Sequence, residues 1–239
     1  MKINIIFENK NFLVVEKPSG IIVHPWSECA DKVSLLKILR DQTGKFIYPV
    51  HRLDRPVSGV MIFAFSSESA NFLKQKWQDE STQKVYIGLC KGVIPKEKYI
   101  SYPLFNQART AKQEARTNFW PLKHNDHVTL ALFKIATGRY HQIRRHLGAM
   151  GHQLIGDTKY GKGNFNRFYR ENYHLQRLFL HCCGLRIDLG DGTQSFISPL
   201  TPDLEHVVSE LCFDYNIDDK IFGFDPNNLT PYSKRENIV

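Results

Sequence analysis

The chain has 239 residues, with 32 Lys and Arg against 24 Asp and Glu, a formal net charge of +8 at pH 7, and 42% hydrophobic residues. That balance excludes collagen-like, low-complexity and wholly disordered classes, and the length supplies one sizeable core or two small ones. No run reaches the roughly 18 unbroken apolar residues of a membrane span, and Glu8-Asn9-Lys10 arrives too early for a signal peptide, so a cytoplasmic protein with no membrane partner is expected.

Residues 3–7 and 12–16 are β-rich and lead into Lys17-Pro18-Ser19-Gly20, a turn signal, so the chain is expected to open as a hairpin. From 33 to 42, Val33, Leu35, Leu36 and Leu39 recur at helical spacing and Gly44 ends the run. Residues 59–65 are expected as a buried strand, 67–80 as a helix with Ala70, Leu73 and Trp77 inward, and 84–94 as another strand. Residues 127–135 alternate like a strand, and 140–150 have helical spacing with Gly151 as the stop. A strand over 178–189 and a helix over 203–212 complete the pattern. No repeat or Pro/Gly/Ser linker divides the chain, so one mixed α+β domain is expected over 1–214, with 215–239 an appended polar tail.

Cys29, Cys90, Cys182, Cys183 and Cys212 form an odd set without a Cys-x-x-Cys pair, which supports neither a disulfide framework nor a zinc ribbon. They are expected to be reduced and mostly buried. The net positive charge suits a polyanionic partner.

Three clusters carry chemistry. His51-Arg52-Leu53-Asp54-Arg55-Pro56 places a carboxylate between two guanidinium groups in a loop. An isolated ion pair of this kind is usually a surface feature. In Thr137-Gly138-Arg139-Tyr140-His141-Gln142-Ile143-Arg144-Arg145-His146, a helix turning about 100° per residue sets Ile143, Leu147 and Met150 on one stripe. It sets His141, Arg144, Arg145 and Gly148 on the other, so a cationic face can point into a cleft. His141 and His146 are five apart and lack an accompanying acid, which disfavours zinc. Lys159 to Tyr173 interleaves cations with aromatics and glycines, as a flexible strip contacting phosphates and bases would, or as a basic surface loop would. On a strand, Lys84 and Tyr86 share a face that excludes Val85.

Taken in order, Lys17-Pro18-Ser19-Gly20, His51-Arg52-Leu53-Asp54 with Ser58-Gly59, Lys84-Val85-Tyr86, Thr137-Gly138-Arg139 followed by His141-Gln142-Ile143-Arg144-x-His146, Ile155-Gly156-Asp157-x-x-Tyr160-Gly161 and Arg177-Leu178-x-Leu180-His181 resemble the motifs of the RluA-type pseudouridine synthases. The resemblance spans roughly residues 10–200. It implies the pseudouridine synthase fold: a mixed, largely antiparallel central sheet flanked by helices, with an RNA-binding cleft. It implies an isomerase that converts a uridine in RNA to its C-glycoside, with no cofactor and no metal.

By the same resemblance Asp54 is the catalytic aspartate and Arg144 its basic partner. Tyr86 stacks on the target uracil and is a candidate for the proton loss from C5, and Ile143 walls the pocket. Arg52 fills the space left by the everted base or guards the carboxylate, and His51 supports the loop. Arg55, Arg139, His141, Lys159, Arg167 and Arg170 are expected to contact RNA. His24-Pro25-Trp26, the string Leu175-Gln176-Arg177-Leu178 and the lack of an S4-like domain resemble the subgroup acting on uridine 65 of tRNA, and a monomer is expected. Ribosomal RNA as substrate and a non-catalytic RNA-binding module are the alternatives. A carboxylate glycosidase would want two acids about 5 to 9 Å apart, where this sequence offers arginines. Val57 and Gln153 stand where relatives usually carry Thr and Pro. Whether Asp54 attacks the sugar, adds to the base or acts through a glycal stays open.

Overall fold

The computed structural model describes residues 1–25, 33–225 and 229–231. Trp26 and Cys29, both singled out in the sequence, lie outside the described residues. The elements begin with β1 (Asn4–Glu8), β2 (Phe12–Lys17), α1 (Leu35–Thr43), β3 (Tyr48–Pro49), β4 (Ser58–Ala64) and α2 (Ser67–Gln78). Then come β5 (Gln83–Lys91), β6 (Lys98–Ile100), β7 (Leu104–Phe105), β8 (Lys112–Gln113), β9 (Thr117–His124) and β10 (Val128–Ile135). The chain continues through α3 (Gln142–Ala149), α4 (Gly163–Asn172), β11 (Leu180–Asp188), β12 (Thr193–Ile197), α5 (Pro202–Glu210) and β13 (Thr230–Pro231).

The first two helices start where a serine side chain can satisfy a free N–H group of the first turn. Ser34 caps α1 by accepting from the Lys37 N–H, and Gly44 closes it in the left-handed conformation at φ 67°. Val33, assigned by spacing to this helix, precedes it and is exposed. Ser66 caps α2 in the same way. The helix expected from 140 begins two residues later, because His141 adopts φ 52° and breaks the helical path.

The main sheet runs β1-β2-β4-β11-β5-β10-β9-β6-β13, with β12 beside β11 and β3 beside β4. Most neighbours are antiparallel; β4 with β11 and β6 with β13 are parallel. This is the mixed, largely antiparallel α+β sheet the motifs imply. Every residue of β4 and β10 is buried, as expected of strands covered on both faces.

Alternation along β5 divides two cores. Tyr86 and Cys90 join a cluster with Leu53, Val57, Ile143 and the β4 residues, whereas Val85, Ile87 and Leu89 join one with Tyr169, Leu204 and Val207. Tyr86 therefore faces the side of the sheet that holds the Asp54 loop. The second core also takes in residues expected as a tail. Ile221 and Phe222 are buried in it, and the buried Lys134 ammonium donates to the carbonyls of Phe222 and Phe224 at 2.8 and 2.9 Å. The described part of 215–231 is thus packed on the sheet, because its few apolar residues cover what β5, β10 and α5 leave open.

Candidate active site

The loop carrying Asp54 joins β3 to β4 and is held from below by the Lys-Pro-Ser-Gly string. Lys17 is buried and donates to the carbonyls of Pro18, Arg55 and Val57 at 2.9, 3.2 and 2.7 Å. Burial lowers its pKa to about 7, partly offset by the charge of Asp54. Ser19 Oγ donates to Pro56 O, Gly20 N–H to Arg55 O, and Val57 N–H closes a turn on Asp54 O. The backbone from Asp54 to Val57 is therefore held in place, which helps to set the direction of the Asp54 side chain. Gly59 follows at φ 118°, and a Cβ there would lie 2.1 Å from the Cys182 carbonyl oxygen. Only glycine lets β4 approach β11 this closely.

Arg144 comes 90 residues later and meets Asp54 at 2.9 Å through Nη1. Its other two nitrogens are taken by Asp157: Nε donates to Oδ2 at 2.8 Å and Nη2 to Oδ1 at 3.0 Å. This two-point fork fixes the plane of the guanidinium. Burial opposes the charge on Arg144, but Asp157 and Asp54 more than compensate and raise its pKa. Burial likewise pushes Asp157 up, while Arg144 and the N–H groups of Tyr160 and Lys159 pull it below its ordinary value. Asp157 belongs to one of the quoted strings, yet the sequence assigned it no role. Its partner lies 13 residues away and only the fold shows them facing each other.

Asp54 lines two hollows, which also share Arg52, Leu53, His141 and Arg144. The inner one is lined by Tyr86, Ile135, Ile143, Leu180, Arg52 and Arg139 around the Asp54–Arg144 pair. The outer one is lined by His24, Arg52, Arg55, Tyr140, His141 and Lys159. Ile143, on the apolar stripe of α3, belongs to the core and also forms a wall of the inner hollow. Tyr86 is buried, and the Cys182 thiol is among the groups around its hydroxyl. Burial first, then Cys182 and Asp54, push its pKa well up, so it presents a neutral ring and not a phenolate base.

The other expected residues divide between those placed as expected and those that are not. His51 turns inward, stacks on Trp77 at 3.8 Å and accepts from the Ile62 N–H, so it supports the loop and does not reach the cleft. Burial and the charge of Lys84 lower its pKa to about 3. Arg145, put by the helical-face argument among cleft residues, instead donates to the carbonyls of Phe105 and Tyr140. The stretch expected as a flexible strip or loop contains a regular helix, α4, whose inner side buries Asn166 and Tyr169. Arg167 is exposed on α4 and lines neither hollow. Arg170, also on α4, lines a separate cavity behind Arg55 and Pro56. Cys90, Cys182 and Cys183 are buried and free, and Cys212 is free but exposed.

Comparison with known proteins matches this geometry to a family. A sequence profile described as RNA pseudouridylate synthase matches residues 11–149, which include Asp54, Tyr86 and Arg144. The chain is 32% identical to a Vibrio parahaemolyticus protein named tRNA pseudouridine synthase C, over 92% of each chain. It is 36% identical to a Pasteurella multocida protein of the same name, over 76% of this chain and 84% of the relative. Among solved structures it resembles human RNA Pseudouridylate Synthase Domain Containing 1, with a TM-score of 0.71 and 25% identity over 86% of this chain and 87% of the other. Human RNA Pseudouridylate Synthase Domain Containing 4 shares the fold, with a TM-score of 0.75 and 20% identity, over 89% and 94%. With the motifs in order along the chain, and the carboxylate, guanidinium and tyrosine they supply gathered in one cleft, the chain belongs to the RNA pseudouridylate synthase family.

Proposed function

We propose that the chain isomerises a uridine of tRNA, at position 65, to pseudouridine, with Asp54 as the reacting carboxylate. The observation that carries this reading is the Asp54–Arg144 pair at 2.9 Å in the wall of a hollow that also contains Tyr86. In the reaction the bond from the sugar to N1 breaks, a bond from the same carbon to C5 forms, and the proton on C5 is lost while N1 gains one. A base stacked in a helix cannot reach Asp54, so it must be everted at a cost of a few kcal/mol. Tyr86, Ile143 and Leu180 offer the everted pyrimidine a flat ring and two aliphatic walls. Arg52 on the rim takes the place beside the vacated stack, and Arg55, Arg139 and Lys159 around the mouth neutralise backbone phosphates. The relatives' names support tRNA as the substrate, and the cytoplasm as the place of action follows from that substrate.

The test is tritium release from C5-labelled uridine in transfer RNA and, separately, ribosomal RNA. Wild-type protein releases tritium from tRNA, and Asp54→Ala binds the RNA but releases none. Turnover by Asp54→Ala removes this carboxylate from the mechanism, and release only from ribosomal RNA replaces the substrate. Binding without any release from either RNA leaves the non-catalytic module as the reading.

A further inference from the structure

The contacts of the Asp54 carboxylate among the described residues fall on one oxygen. Arg144 Nη1 lies 2.9 Å from Oδ2, and His141 Nε2 lies 3.4 Å from the same atom. We infer that His141 is a positioning residue: with Arg144 it holds Oδ2 and so leaves Oδ1 as the oxygen presented to the substrate. This rests on the proposal that Asp54 is the reacting group.

The argument begins with the backbone. His141 adopts φ 52° and ψ 35°, a conformation that costs a non-glycine residue free energy and persists where surrounding structure enforces it. What the strain provides is the position of the ring, which lies outside the helical path of α3 and against Asp54. Its plane is clamped by Tyr140, stacked at 3.7 Å, and by Tyr160, edge-on at 5.7 Å.

The tautomer follows from the neighbours. Nε2 faces a carboxylate oxygen, which only accepts, so Nε2 carries the hydrogen. Nδ1 is then the acceptor, and the Tyr160 hydroxyl, 3.1 Å away, donates to it. Burial, together with Arg144 and Lys159 and against Asp54 and Asp157, lowers the His141 pKa to about 4, so a neutral donor stands at Asp54 at pH 7. At 3.4 Å the contact is longer than a hydrogen bond, and catalytic contacts are often long before substrate fills the site. Tyr160, His141 and Asp54 thus form a chain in which each group orients the next.

His141→Gly tests this, because glycine accepts the left-handed backbone and the fold is kept. The kcat for tritium release is expected to fall about 10- to 100-fold, the worth of one hydrogen bond to a charged group. KM for tRNA is expected to move less than about threefold, and added imidazole is expected to restore part of the turnover. Tyr160→Phe is expected to lower kcat several-fold with no response to imidazole. Wild-type turnover in His141→Gly, or a loss that imidazole leaves untouched, overturns the inference. Asp54→Asn, run alongside, separates the two readings. Turnover by Asp54→Asn removes the carboxylate mechanism itself. An inactive Asp54→Asn beside a fully active His141→Gly removes only the role of His141.

Discussion

Replacing Asp157 by Asn should unlock Arg144 without changing the shape of the residue. In the wild-type protein the Asp157 side chain is 1% exposed and that of Arg144 6%. The Asn oxygen can keep the contacts of Oδ1 with Arg144 Nη2 and the N–H groups of Lys159 and Tyr160. Its amide, however, sets a donor against Arg144 Nε where Oδ2 accepted at 2.8 Å. Breaking a buried pair from one side costs about 3–5 kcal/mol. Because Arg144 retains Asp54, the loss should lie near the lower end, about 3 kcal/mol. For a chain of this size that is a fall of about 6–12 °C in melting temperature.

The same change lets the guanidinium move, and a displacement of about 1 Å can cost about a hundredfold in kcat. The control is Asp203→Asn: Asp203 pairs with Arg177 but is 51% exposed, so its loss should cost under about 1 kcal/mol. The pH dependence has a definite sign. Asp157 in the folded protein titrates below its ordinary 3.8, so its contribution is complete above that value and is lost as pH falls through the lower folded value. Melting curves of wild type and Asp157→Asn should therefore converge in acid. Thermal unfolding followed by circular dichroism, with kcat from tritium release, makes the measurement. A melting temperature within about 2 °C of wild type together with unchanged kcat would refute the assignment of Asp157 as the anchor of Arg144.

Gly59→Ala should destabilise by more than about 4 kcal/mol, because its Cβ would meet backbone and not a side chain that can yield. Soluble yield and the urea midpoint read this, and a normal midpoint would contradict the close approach of β4 to β11. Lys159→Ala, at the mouth of the outer hollow, should weaken tRNA binding and flatten the salt dependence of log K by about 0.7–0.9, the share of one phosphate contact. Arg167→Ala, off both hollows, should leave both unchanged. Filter binding across a salt series distinguishes them, and equal effects at the two positions would put RNA on the exposed face of α4.

The elements legible in the sequence were those with a strong local signal. The first two helices have serine caps, and α1 adds a glycine stop; β4, β5 and β10 carry long apolar runs. Strand β9 is not legible in the sequence because Pro121 interrupts its pattern, and the proline is accommodated where the register with β10 shifts. Helix α4 was hidden by Gly161 and Gly163 at its start and by a buried asparagine on its inner face. Asn166 accepts from the Gly156 N–H and donates to Asp157 O, so a polar residue occupies what periodicity expects to be an apolar position.

By itself the sequence determined the chemistry on offer. It contained a carboxylate loop, a basic helix, a strand tyrosine and their order along the chain, and these are properties of residue types and short spacings. Tertiary structure alone decided which groups meet. It brought Arg144 across 90 residues to Asp54, set Asp157 behind it, turned His51 away and placed His141 on the same oxygen as Arg144. The physical reason is that local propensity acts over a few residues, whereas the direction of a buried charge is set by the backbone carbonyls and counter-ions that surround it once the chain has closed.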